Sequence, residues 1–127
     1  MIINRSIDIE DECRKALVPY MAAYCPPLPA EYDLPHALVR QVGGTDSNTI
    51  DTFTVSVDAR AKTEAEANET IRNAVAILKS VAKLQTTEIR RVVVNSSGSW
   101  GKDPVRPDLA MCTATLLVTA HEENIDL

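Results

Sequence analysis

Between Thr52 and Arg60 the chain alternates strictly, with Phe53, Val55, Val57 and Ala59 on one side and Thr52, Thr54, Ser56, Asp58 and Arg60 on the other. A period of two is the pattern of a strand with one face on a core. The second face meets water or a neighbouring subunit. The period then changes. Thr63 followed three residues later by Glu66 is a capping box that opens a helix to about Lys83. Ala67, Ile71, Ala74, Val75, Leu78, Val81 and Ala82 form its apolar stripe, and Glu64, Glu69, Arg72, Asn73 and Lys79 its solvated face.

Helical spacing also runs from about Asp8 to Tyr24, through Ile9, Cys13, Ala16, Leu17, Tyr20 and Tyr24. Acidic residues crowd the first turn, where they meet the positive end of the helix dipole. Pro19 lies inside the pattern and ends or kinks the regular helix near Val18. The proline-rich CPPLPAEYDLP that follows reads as an extended, stiff connector. Strands are expected over about His36–Val42, Glu88–Asn95 and Leu109–His121, with a long loop, NSSGSWGKDPVRPD, from Asn95 to Asp108. The fold class is therefore α+β in a single domain, residues 1–127, of element order α-β-β-α-β-β. Two helices would cover one face of a four-stranded mixed, largely antiparallel sheet.

Composition narrows the chemistry. At 127 residues with 45% hydrophobic but only 4% aromatic residues, the core must be aliphatic. With 13 Lys+Arg against 18 Asp+Glu the net charge is -5, which argues against a sequence-specific nucleic-acid face. No membrane span is expected, and the acidic start of the chain is unlike a signal peptide. Cys13, Cys25 and Cys112 have neither zinc-site nor disulfide spacing and read as reduced thiols.

Between two strands lies QVGGTDSN, Gln41–Asn48. A phosphate loop needs a lysine and a following helix, and a dinucleotide fingerprint needs a third glycine. Neither requirement is met, so the stretch reads as a hairpin turn whose glycines supply conformational freedom. His36 and His121 have no sequence-local triad or metal partners. Ser96, Ser97 and Ser99 lack a nucleophile elbow. The acidic clusters Asp8–Glu12 and Glu122–Asp126 do not have calcium-loop spacing. No catalytic, cofactor-binding or metal-binding residues are assigned, and no enzyme is expected. Trp100, between two glycines' reach in the polar loop, is either tucked under the domain or offered to a partner.

The acidic helix ending in ALVPYM, CPPLPAEYDLPHALVRQVGG, DTFTVSVDARAKTEAEANETIRNAVAIL and GSWGKDPVRPDLAMCTATLLVTAH, taken in that order, resemble the tail terminator family of long-tailed bacteriophages and prophages. The resemblance covers nearly the whole chain and rests on element order, not on a catalytic motif. It implies a structural virion protein that caps the tail tube as a ring, commonly a homohexamer. Such a protein ends tube polymerisation and provides the head-joining surface. Its implied partners are further copies of itself, the tail tube protein and the head connector or completion protein. Its implied location is the virion tail, and the host cytoplasm during assembly. Candidate interface positions are Gly43, Gly44, Asp46, Thr54, Ser56, Asp58, Arg60, Trp100, Lys102 and Arg106. The alternatives are another head–tail connector or completion protein, or a regulatory α+β domain with a small-molecule pocket shaped by Gly43–Ser47 and the long loop.

Overall fold

The structure, a computed structural model, describes residues 1–45 and 50–127, with side chains at all of these except 45 and 97–100. It is α+β, with two helices and a mixed sheet. In chain order the elements are β1 (Ile2–Arg5), α1 (Ile9–Leu17), β2 (Ala22–Tyr24), β3 (His36–Thr45) and β4 (Ile50–Ala61). These are followed by α2 (Glu64–Leu84), β5 (Ile89–Lys102), β6 (Ala110–His121) and β7 (Glu123–Asp126).

The main sheet has five strands in the order β2-β3-β4-β6-β5, and β1 and β7 form a separate two-stranded sheet. The expected four-stranded sheet is therefore incorrect: β3, β4, β6 and β5 are joined by β2 at the β3 edge, and the expected element order omits β1, β2 and β7. Those three strands are three or four residues long, too short for alternation to emerge in the sequence. Only the β2–β3 pair is parallel. Strands β4 and β5 run in the same direction with β6 between them, and α2 makes the crossover.

Local signals account for the helices. The Asp8 carboxylate accepts the N–H of Asp11 at the start of α1, which stops at Leu17, two residues before Pro19. The expected continuation of helical spacing to Tyr24 instead becomes a turn followed by β2. Thr63 caps α2 by accepting the Glu66 N–H at 3.2 Å. Gln85, in the left-handed region at φ 54°, closes the other end with its N–H on the Val81 carbonyl.

Both helices pack on one face of the sheet. Ile9, Cys13 and Leu17 of α1 and Ala67, Ile71, Ala74, Leu78 and Ala82 of α2 are buried there. They meet Ala37 and Val39 of β3, Phe53, Val55, Val57 and Ala59 of β4, and Cys112, Ala114, Leu116 and Val118 of β6. The alternation of β4 and β6 is therefore obeyed in space. Asp51 is a polar exception in the β4 alternation, and it accepts a hydrogen bond from the Ser6 hydroxyl.

Two loops differ from expectation. Gly43 and Gly44 are not at a turn: they pair with Thr54 and Phe53 inside the β3–β4 ladder, just past a bulge between Gln41 and Gly43. Asp46 and the remainder of the expected turn lie outside the described residues. The long loop from Asn95 also shortens, because β5 continues to Lys102 and only residues 103–109 connect it to β6. Serine and glycine have poor strand propensity, but β6 supplies a partner along its whole length. Two of the register shifts in β5, between Val94 and Ser96 and between Ser96 and Ser99, absorb the NSSGS tract.

Candidate functional site

With both helices on one side, no helix or further sheet among the described residues covers the other face of the main sheet. Thr52, Thr54, Ser56, Asp58 and Arg60 of β4 point there, in register with Thr119, Leu117, Thr115, Thr113 and Met111 of β6. On the β3 side, Arg40 stands opposite Ser56, Leu38 opposite Asp58 and His36 opposite Arg60. Nothing about a solvated strand face predicts burial, yet Ser56, Asp58 and Arg60 are all buried.

An ion-pair network explains it. Arg40 Nη2 lies 3.1 Å from Asp58 Oδ2, and Arg60 Nη2 lies 3.9 Å from the same oxygen. Arg60 Nε donates to Asp103 Oδ2 at 2.8 Å. Thr113 donates to Asp58 Oδ1 at 2.9 Å. The other oxygen of Asp103, Oδ1, accepts the N–H groups of Val105 at 2.9 Å and Arg106 at 3.3 Å. Desolvation by itself would raise the Asp103 pKa. The two backbone N–H groups and the Arg60 guanidinium outweigh it and hold the carboxyl below its ordinary 3.8. Two arginines and two aspartates balance in charge, and Asp103 thereby clamps the 103–109 loop over one end of the open face.

That end is closed from the other side by the 25–35 connector. His36 is fully buried, its Nδ1 2.9 Å from the Asp33 carbonyl and its ring edge-to-face with Tyr24 and Tyr32. Burial pushes its pKa below the ordinary 6.5, against the opposing pull of the Asp33 carbonyl. Among the described residues, His36 Nε2, Arg40 Nε and Arg60 Nη1 are buried without a hydrogen-bond partner. A shallow cleft of about 310 Å³ lies beside the network, with Leu38, Pro104 and Met111 among its walls.

The expected positions therefore separate into groups. Thr54, Ser56, Asp58 and Arg60 share the open face. Lys102 ends β5 and is exposed, and Arg106, also exposed, pairs with Asp108 at 2.9 Å. Gly43 and Gly44 lie far from these. Gly44 is opposite Phe53, while the loop is held at Arg60, seven residues along β4 and roughly 23 Å away. Gly43–Gly44 and the 103–109 loop thus cannot wall a common small-molecule pocket. The backbone of Trp100 pairs with Cys112, and its side chain, like Asp46, is outside the described residues.

Residue-by-residue reading of the sequence missed His36, Arg40, Asp103 and Thr113 as members of the cluster. The signal available was the alternation of His36, Leu38 and Arg40, which puts two basic groups on one face of β3. Nothing in the sequence marks Asp103 as the counter-ion. The Asp58 and Asp103 carboxylates are saturated with donors, so neither is a free base for proton transfer. Among the described residues no group of His, Cys, Asp and Glu side chains could hold a metal ion. No helix among them is long and apolar enough to cross a membrane. The chain matches no protein-family model, and no curated protein matches it at a significant level.

Proposed function

We propose that this chain is a structural assembly protein of the tail terminator kind. In that role it caps a phage tail tube as a homomeric ring, commonly of six subunits, ends tube growth and offers a surface for head joining. The observation that carries the reading is the uncovered sheet face. It is semi-polar, with half-buried Thr54, Thr115, Leu117 and Thr119 beside a charge-balanced ion-pair cluster. Interfaces that a subunit must also expose before assembly are about as apolar as ordinary surface. The sequence resemblance supplies the specific role. Further copies of the chain, the tail tube protein and the head connector are the proposed partners, and the virion tail the proposed location. Catalysis is no part of this role.

Sedimentation velocity over a wide concentration range, with and without tail tubes, tests it. A ring of about six subunits that forms alone or on tubes, and is lost in a Thr54→Arg/Thr115→Arg variant of unchanged stability, supports the proposal. A chain that stays monomeric at high concentration and ignores tube ends overturns it.

A further inference from the structure

His36 is the first residue of β3, and four elements close around it. From β2 comes the Tyr24 ring, 5.3 Å away and at 88°. From the connector come the Tyr32 ring, 4.8 Å away and at 87°, and the Asp33 carbonyl. The register partner from β4 is Arg60, which carries a positive charge, and from the 103–109 loop comes Asp103. Arg106 of the same loop approaches Tyr32. The connector depends on this cluster, because the Tyr24 hydroxyl accepts the Asp33 N–H at 3.0 Å while His36 binds the Asp33 carbonyl.

The bond to a carbonyl fixes the proton of neutral His36 on Nδ1, since a carbonyl can only accept. A second proton must then go to Nε2, which is buried and has no partner among the described residues. Asp103 is the nearby carboxylate, but one oxygen is committed to Arg60 Nε and the other to two backbone N–H groups. Protonation would therefore leave an unpaired N–H and a second cation beside Arg60, in a site without solvent. A buried charge in that position is relieved most cheaply by letting water in.

We propose that His36 is a proton-operated latch on the 25–35 connector, closed while the imidazole is neutral and released when Nε2 takes a proton. Release frees Tyr32 and Asp33 and uncovers the His36–Arg60 end of the open sheet face. The latch does not depend on the assembly reading, and either can fail alone.

Native-state hydrogen exchange from about pH 7.5 to about pH 5.0, corrected for intrinsic rates, tests the latch. The expected result is that the Asp33 amide, which donates to the Tyr24 hydroxyl, loses protection by up to about tenfold per pH unit below the ordinary histidine pKa. Amides of β4 and β6 should keep theirs over the same range. In His36→Phe, which keeps an aromatic ring but cannot titrate, connector protection should be independent of pH. Connector protection that is unchanged at about pH 5.0, or that falls equally in the variant, overturns the proposal. If the variant does not fold, NMR titration of the His36 ring decides together with wild-type exchange. A midpoint below 6.5 that tracks connector opening supports the latch, and a midpoint at or above 6.5 overturns it.

Discussion

Arg60 Nε donates to Asp103 Oδ2 across 2.8 Å, joining the end of β4 to the loop that follows β5, with both residues buried. Removing one member leaves the other charged and buried without its closest ion partner, with only Asp58 at 3.9 Å left to Arg60 or two backbone N–H groups left to Asp103, at a cost of about 3–5 kcal/mol. Asp103→Ala should therefore lower the unfolding free energy by about that much in urea titrations, and so should Arg60→Met. The double variant should recover part of the loss. Additive losses would mean the pair is not coupled.

The same carboxyl predicts a pH effect. Its folded pKa is below the ordinary 3.8, so its contribution is present above that value and is lost as pH falls through the lower, folded one. Asp103→Asn should flatten the stability curve in this acidic window and leave its slope between pH ~5 and ~7 unchanged. Stability-versus-pH curves from chemical denaturation provide the check.

Adjacent glycines should respond differently to the same substitution. A Cβ on Gly44 would stand 3.0 Å from the Thr52 carbonyl oxygen and 3.4 Å from Phe53 Cα, both backbone atoms of the paired strand. On Gly43 the nearest atoms belong to the Thr54 side chain, at an ordinary 3.7 Å. Gly44→Ala should cost about 1 kcal/mol or more, and Gly43→Ala should be neutral or slightly stabilising. Equal melting temperatures for the two variants would contradict the close approach.

Thiol labelling of the native protein should be slow and ordered. Burial pushes the Cys13 thiol up to about 12 and, with the Glu10 carboxylate adding to it, the Cys25 thiol up to about 11. Cys112 is raised by burial as well. Since the thiolate is the reactive form, at mildly alkaline pH all three should react far more slowly than a free cysteine. Cys25, the one that is only half-buried, should react first. Rapid labelling of Cys13 in the folded protein would contradict its place on the buried face of α1.

Cap chemistry gives a further number. The Thr63 hydroxyl satisfies the Glu66 N–H at the start of α2, so Thr63→Ala should cost about 1 kcal/mol. Thr63→Ser should restore most of it. Thermal or urea unfolding of the two variants makes the comparison.

Alternation and capping are local properties, and they determined the parts of this protein that are local. Phe53 to Ala59 facing a core, Thr63 opening α2 and Pro19 stopping α1 all follow from residues within one element. The α+β class and both helices were legible for that reason, as was the polar side of β4. Tertiary structure decided what depends on partners distant in sequence. Gly43 and Gly44 became strand because β4 lies beside them, and Ser96 to Lys102 became strand because β6 does. Short β1, β2 and β7 exist only through pairing. Above all, Asp58 and Arg60 look in sequence like members of a solvated face, and they are buried because Arg40 arrives from β3 and Asp103 from a loop 43 residues further on. A charge pattern within one strand shows which side is polar; only the fold brings the counter-ions that let that side be desolvated.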